Sequence, residues 1–473
     1  PDFEVITPDD PANLAIDEID VGNLSLGFLS LHTVTLEGVV SWTQQTKLDV
    51  RQVADVKHFA NVMAISPDGS TLVVGADQSR NGVAQASGTV LVYNWDATNA
   101  RWVEAAKLYA PDVAASGAGA GFGLAVAIDA NNTILVGAPR DSTRGQDAGA
   151  AYVFAPTALG GWKFQTKLLA SDGQARQWFG NTVAVDGASV LIGASGAPFS
   201  GNNGKVYFFE RGGPVWTESA NVQQVAVSGS GRNGLAVAML GNTAVIGSAG
   251  SDVGVGKVLV YGRATADSAW VYQATLRPSD PQNAQTLPGD QFGAAVAIGA
   301  GRIVIGAPSW SERNDVGNPN DDEVEHGRAF VFDGSGANWT LVARLTAEGG
   351  LPEADAAGEG KGGDRFGAAV AISGDQVVVG APGVDGAGSL DAGAAYAFVQ
   401  LPGRSGLGAT WARASGQTGV GKLVAALPAG ADAAAGAPLA DHFGQSVAVA
   451  GGRIVAGIPG FNETGPAGVT RAD

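Results

Sequence analysis

The sequence predicts an all-β fold, a seven-bladed β-propeller with four antiparallel strands in each blade. Three observations predict it. A pattern of four short phrases recurs along the 473 residues, glycine occurs 71 times, and the two chain ends lack complementary parts of the pattern. Glycine at about twice its average frequency, without a collagen period, is typical of many short strands joined by tight turns.

The first phrase predicts the innermost strand of each blade. It is an aromatic and a small residue followed by alternating small and apolar residues, and it begins at Phe59, Phe122, Phe179, Asn233, Phe292, Phe366 and Phe443. Alanine and glycine suit the crowded axis of a propeller, and glycine at the start of a strand permits a close backbone approach. The phenylalanine is expected to pack between neighbouring sheets.

The other three phrases predict the remaining strands of the blade. The second is a β-branched run that ends in a small-residue turn, such as RIVIGAP at Pro308. Its near-continuous apolar character indicates a strand covered on both faces. The third is Gly-x-x followed by Tyr or Phe, as in AGAAYVF at Phe154, and the fourth begins with tryptophan, as at Trp162.

The chain ends predict how the ring closes. After Phe443 only the first two phrases are clear, whereas Trp42 opens WTQQTKLDV without the phrases that should precede it. Residues 42–50 are therefore expected to complete the blade of 443–473, because joining both termini in one blade removes open sheet edges. The predicted domains are an N-terminal extension over 1–41 and the propeller over 42–473. Insertion of 42–50 into a neighbouring molecule, which would give self-association, stays open as an alternative.

The phrases FG-x-x-VA, V-GAP and G-x-x-YVF resemble the FG-GAP repeat family over residues 42–473. That family includes the propeller of integrin α-subunits and many bacterial surface or secreted proteins, so the resemblance implies a propeller with adhesion or binding roles. Integrin-like members carry a calcium loop between the first and second strands of several repeats. Here those connections, such as VDGAS and IGAGR, lack the three or more oxygen side chains that calcium needs. No standard calcium loop is expected, and calcium binding elsewhere stays open.

The overall composition of the chain narrows the range of binding partners that we expect. The chain has 28 Lys and Arg against 45 Asp and Glu, a net charge of −17, which disfavours nucleic acid. No apolar run reaches the roughly 18 residues that span a bilayer, so membrane insertion is not expected. The absence of cysteine excludes thiolate metal sites and cysteine nucleophiles. Because the chain opens at Pro1 without a methionine, we expect a processed bacterial protein that is secreted or held at the cell surface.

The longest loops are predicted to emerge at one end of the propeller, where binding is expected. In the segment after Pro308, Trp310 and Arg313 suit ligand stacking and ion pairing. In the same segment four acids are candidate metal ligands, Asp315, Asp321, Asp322 and Glu325. The alternative is a solvated acidic loop.

Two further candidates are the pair Arg140 and Arg144, in the loop 140–148, and, separately, Trp178. The arginines are candidates for ligand contact, and Trp178 is a candidate platform for a sugar ring. The alternatives are surface salt bridges for the arginines and a cap over the groove between blades for the tryptophan.

The function predicted from these features is an extracellular, non-catalytic binding or adhesion module that takes a protein or a glycan at its loop-rich end. Only four histidines occur, and no G-x-S-x-G, H-E-x-x-H or phosphate-loop motif is present. Two alternatives stay open. They are a structural subunit of an extracellular assembly or filament, and a carbohydrate-active enzyme with two facing carboxylates.

Overall fold

The computed structural model describes residues 29–33, 48, 58–79, 87–112, 119–196, 204–213, 215–219, 235–250, 255–278, 290–310, 327–347, 363–385, 391–401, 410–413, 422–423 and 442–459. Within these ranges the chain forms strands and turns, and no helix. The fold is an all-β propeller whose blades have four antiparallel strands, as predicted.

Six sheets contain four strands in sequence order, and we call them blades 1 to 6. Blade 1 has β2 (Val62–Ile65), β3 (Thr71–Ala76), β4 (Thr89–Asp96) and β5 (Arg101–Leu108). Blade 2 has β6 (Ala125–Ile128), β7 (Ile134–Ala138), β8 (Ala150–Pro156) and β9 (Trp162–Leu168). Blade 3 has β10 (Phe179–Asp186), β11 (Ser189–Ala194), β12 (Lys205–Gly212) and β13 (Val215–Glu218).

The other three blades follow the same order. Blade 4 has β14 (Leu235–Leu240), β15 (Thr243–Ser248), β16 (Lys257–Gly262) and β17 (Val271–Leu276). Blade 5 has β18 (Ala295–Gly299), β19 (Arg302–Ala307), β20 (Arg328–Ser335) and β21 (Asn338–Leu345). Blade 6 has β22 (Ala369–Ser373), β23 (Gln376–Ala381), β24 (Ala394–Leu401) and β25 (Thr410–Arg413), and a short β26 (Lys422–Leu423) also pairs with β24.

A separate sheet of three strands, the closing sheet, joins the two ends of the chain. It contains β27 (Val447–Ala450), β28 (Arg453–Gly457) and β1 (Leu29–Thr33), with β28 in the middle. The prediction of seven four-stranded blades is therefore wrong, because the residues that the structure describes form six. The N-terminal strand β1 was missed because its sequence, LSLHT, contains none of the four phrases.

The segment expected to close the ring, 42–50, lies outside the described residues except for Leu48. That side chain is buried in a core cluster that includes Trp102 of blade 1 and Val455 of the closing sheet. In the ring, β27 lies between β22 and β2, so the closing sheet fills the gap between blades 6 and 1.

Glycine and phenylalanine explain how neighbouring blades fit together. A Cβ on Gly137 in β7 would lie only 1.9 Å from the carbonyl oxygen of Gly180, which belongs to the first phrase of blade 3. The same 1.9 Å approach joins Gly306 to Gly367. Phe179 is fully buried beside this contact. The backbones of adjacent blades therefore touch where the FG and GAP phrases meet.

The up-and-down order of the strands gives the propeller two different ends. Turns between first and second strands and between third and fourth strands lie at one end. The other end carries the connections between second and third strands and the links from blade to blade, and we call it the loop-rich face. At the opposite end, the Arg263 guanidinium bridges blades by donating to Glu210 (2.9 Å) and Ser189 (2.8 Å).

Candidate functional site

The loop 140–148 forms part of the loop-rich face and is held by its own backbone. The N–H of Gly149 donates to the carbonyl of Asp141 at 2.8 Å. The N–H of Thr143 donates to the Asp141 carboxylate at 2.9 Å. The link to blade 3 docks onto the same loop, because the Arg176 N–H donates to the Gln146 carbonyl at 2.7 Å. The loop and the link therefore form one continuous surface.

Beneath this surface, four polar side chains form a cluster that we call the blade 1–2 clasp. Lys167 Nζ lies 2.7 Å from one carboxylate oxygen of Asp112 and 2.7 Å from one of Asp141. The hydroxyl of Tyr152 lies 2.9 Å from both carboxylates. Asp112 belongs to the link after blade 1, whereas the other three residues belong to blade 2. The clasp therefore fastens one blade to the next.

The clasp shifts the pKa values of Asp112 and Tyr152 in opposite directions. Burial raises the pKa of Asp112, but the hydrogen bonds from Lys167 and Tyr152 and the charge of Lys167 outweigh it and hold that pKa below its usual value. Burial and the two carboxylates raise the pKa of Tyr152 far above its usual value. The third N–H of Lys167 donates to Thr143 Oγ1 at 2.7 Å, so the ammonium has no free donor for a substrate. This arrangement suits a structural role and does not suit proton transfer.

A second clasp repeats the arrangement at the next junction. Asp172, in the link after blade 2, accepts from the Tyr207 hydroxyl at 2.7 Å and from Lys205 Nζ at 2.5 Å. Gln177 also hydrogen-bonds the Tyr207 hydroxyl. Sequence reasoning missed both clasps, although Asp112 and Asp172 each stand four residues after the last leucine of an outer strand.

Arg140 and Arg144, both predicted to contact a ligand, lie exposed on the loop surface. The alternative of mutual salt bridges in the loop is not what the structure shows. Asp141 pairs with Lys167 instead. Among the residues that the structure describes, no carboxylate lies within ion-pair distance of either guanidinium. The charges of both arginines thus face solvent.

Trp178 and Trp310, the two aromatic candidates, lie in different environments. Trp178 is half-buried, has a left-handed backbone (φ 57°), and precedes the buried Phe179. Trp310 is only 7% exposed, and its ring centroid lies 5.0 Å from that of Phe330 in the core of blade 5. Its ring is therefore not presented to a ligand.

The remaining candidates lie outside the described residues. They are Arg313 and the four acids considered as metal ligands, Asp315, Asp321, Asp322 and Glu325. In the described ranges, no three His, Cys, Asp or Glu side chains are grouped so that they could hold a metal ion. Nor do the described residues include a helix long and apolar enough to cross a membrane.

Comparison with known proteins agrees with the repeat pattern. A family model described as the FG-GAP repeat matches residues 102–154, 162–209 and 356–398. No curated protein sequence matches the chain. The fold is similar to that of the periplasmic gluconolactonase of Pseudomonas aeruginosa, with a TM-score of 0.44 and 14% identity over 85% of this chain and 99% of that one. A likeness at that level says nothing about activity. The repeats and the observed architecture agree: the chain is a β-propeller in which three stretches match the FG-GAP repeat.

Proposed function

We propose that this chain is a non-catalytic binding module that acts outside the cytoplasm and takes a protein or glycan ligand on its loop-rich face. The observation that carries the proposal is the pair of exposed arginines, Arg140 and Arg144, which have no described carboxylate partner in a chain of net charge −17. Guanidinium groups bind carboxylate, sulfate or phosphate groups with two parallel hydrogen bonds. An acidic group on the ligand is therefore the expected partner.

The support beneath the arginines favours binding. The blade 1–2 clasp holds Asp141 at 0% exposure, directly after Arg140 in the chain. The link to blade 3 fixes the far side of the loop through the hydrogen bond to Gln146. A surface that is ordered before the ligand arrives loses less conformational entropy on binding.

A carbohydrate-active enzyme is the alternative function. It would need two carboxylates free to act as acid and base or as acid and nucleophile. The described carboxylates beneath the arginines, Asp112 and Asp141, are instead tied to Lys167 and Tyr152. Their engagement favours binding over catalysis at this surface.

A glycan array tests the proposal with two matched double variants. R140A/R144A removes the two charges from the loop-rich face, and R101A/R211A removes two exposed arginines from the opposite end. We expect the wild type to bind a subset of acidic glycans, R140A/R144A to lose at least tenfold in affinity, and R101A/R211A to bind like the wild type. Equal losses in both variants would show an effect of net charge alone and would contradict the assignment of the face. Release of shortened glycan during incubation would support the enzyme alternative.

A further inference from the structure

One backbone feature recurs at the blade junctions of the loop-rich face. The residue immediately before the phenylalanine of the first phrase has a left-handed backbone at six described junctions, and we call these the junction residues. They are His58 (φ 55°), Gly121 (69°), Trp178 (57°), Gln291 (57°), Arg365 (55°) and His442 (55°). Each begins the turn that leads the chain into a new innermost strand.

This conformation is costly for residues such as His, Trp, Gln and Arg, because the Cβ crowds the neighbouring carbonyl oxygen, whereas glycine adopts it freely. Gly121 shows that the turn accepts glycine. The other five junctions nevertheless keep a large polar or aromatic side chain in the strained conformation. The turn requires the left-handed backbone but does not require these side chains, and non-glycine residues in this conformation are found at functional positions. The five side chains are therefore candidates for a purpose beyond folding.

The junction residues lie above the ends of the second strands. A Cβ on Gly121 would meet the Pro139 ring at 3.7 Å. His58 Nδ1 lies 3.4 Å from an Asp77 carboxylate oxygen, and His442 Nδ1 lies 3.3 Å from the Pro382 carbonyl oxygen. Arg365 is exposed, and the junction residues other than Gly121 and Arg365 are half-buried. Their positions are thus repeated around one face.

At three junctions the residue opposite the junction residue is complementary to it in size. Opposite Gly121 stands the exposed Arg140, whose N–H donates to the Ala120 carbonyl at 3.0 Å. Opposite Trp178 and Arg365 the corresponding residues are glycines, Gly196 and Gly383, which donate to Gln177 and Asp364 at 2.9 and 3.1 Å. Blades 2, 3 and 6 therefore each present one large side chain at this place, supplied from either of two strand ends.

We propose that the junction side chains, together with Arg140, form a binding ring for an acidic polysaccharide that carries carboxylates on successive sugar units. Arg140 and Arg365 pair with the carboxylates, Trp178 stacks on the face of a sugar ring, and Gln291 hydrogen-bonds hydroxyl groups. The inference rests on the proposed function, because it uses the same face, and it adds the chemical class of the ligand. A polymer with one carboxylate on each sugar matches a ring of separated arginines. A nucleic acid is a poorer fit, because the protein is acidic.

Replacement by glycine separates a role in binding from a role in folding. In R365G and W178G the strained conformation is relieved, so both variants are expected to melt close to the wild-type temperature. Calorimetric titration with a galacturonate oligosaccharide is expected to show affinity at least tenfold lower than that of the wild type. The control is A100G, which relieves the same left-handed conformation (φ 47°) at the opposite end. It should bind the oligosaccharide like the wild type.

Each contrary outcome has a distinct meaning. If R365G and W178G bind galacturonate like the wild type while R140A/R144A does not, the ring is refuted and the proposed function stands. If the wild type binds other glycans on the array but not galacturonate, the ligand class is refuted. Binding to nothing on the array overturns both the ring and a glycan ligand. A large drop in melting temperature for R365G would show that the side chain serves the fold, which overturns the ring.

Discussion

At the scale of single residues, the junctions between blades depend on glycine. Gly137, Gly306 and Gly380 lie in the second strands of three blades, and a Cβ on each would lie 1.9 Å from a carbonyl oxygen of the next sheet in the ring. The opposing atom belongs to the backbone and cannot rotate away. Any other residue at these positions must push two sheets apart, and the second strands are buried along almost their whole length.

Substitution of one such glycine should be costly. Gly137→Ala is expected to lower the free energy of unfolding by about 3 kcal/mol, because overpacking forces the backbones of blades 2 and 3 apart. Denaturant unfolding measures this change in the free energy of unfolding. Gly212→Ala is the control, since a Cβ there meets nothing within 4 Å, and it should change stability by less than about 0.5 kcal/mol. Equal effects of the two substitutions would contradict the close approach.

Sequence reasoning succeeded with residues that every repeat shares. The phenylalanine and glycine of the first phrase and the glycine of the second recur because every blade junction imposes the same packing. The clasps could not be predicted from the sequence, because Asp112 and Asp141 are distant in sequence. In addition, only two described junctions use an acid in the link between blades. Trp310 appeared available for a ligand because a long acidic segment follows it. It is buried because blade 5 has Phe330 where blade 2 has Tyr152.

At the scale of the elements, equivalent strands in successive blades have acquired different roles. Lys167 in β9 and Lys107 in β5 occupy the same place, one residue before the last leucine of an outer strand. Lys167 is 14% exposed and bridges two carboxylates of the blade 1–2 clasp. Lys107 makes only an exposed pair with Glu104 at 3.6 Å. Equivalent positions in blades 1 and 2 thus hold a surface ion pair and a buried ion pair, which can be compared directly.

Removing the buried cation should destabilise the protein in a pH-dependent way. Lys167→Met is expected to cost about 3–5 kcal/mol at pH 7, because the buried Asp141 carboxylate loses its cation. The folded-state pKa of Asp112 is lowered, so its contribution to stability is complete above about pH 4 and is lost as the pH falls through the folded value. Denaturant unfolding between pH 3 and 7 should therefore show the deficit of the variant shrinking below about pH 4.

The matched control for this series is Lys107→Met. It should cost less than about 1 kcal/mol at every pH, as expected for an exposed ion pair. A deficit of Lys167→Met that stayed constant from pH 7 to pH 3 would mean that lost packing, and not the charge of the clasp, causes the destabilisation.

At the scale of the whole molecule, stability depends on how the closing sheet meets blade 1. Ser446 Oγ donates to the Ala60 carbonyl at 2.7 Å, and the Arg453 guanidinium donates to the Gly69 carbonyl at 3.2 Å. The same guanidinium lies 4.4 Å from the centre of the Trp95 ring. These contacts fasten the closing sheet, near the end of the chain, to blade 1 near its beginning.

The sequence predicted that both ends would meet in one sheet, and the structure places β1 there. That strand could not be identified from the sequence, because LSLHT has no aromatic or glycine at the repeat positions and its partner β28 lies at the far end of the chain. Pairing between distant segments is decided by the geometry of the ring, which a local pattern does not contain.

The register of the closing strand gives a direct test of ring closure. Ser30 lies opposite Ala456, and Ile454 lies opposite His32, two residues along the same face. The chain has no cysteine of its own, so S30C/A456C introduces only one pair, at a Cα separation suited to a disulfide. We expect it to oxidise within one chain and to raise the free energy of unfolding by about 3–5 kcal/mol, because the bond closes most of the chain into a loop.

The diagonal pair S30C/I454C is the control and should oxidise poorly, since diagonal neighbours are about 7–8 Å apart. Cross-linked dimers of S30C/A456C on a non-reducing gel would instead show that the N-terminal strand completes the sheet of a second molecule, which would make the protein a self-assembling subunit.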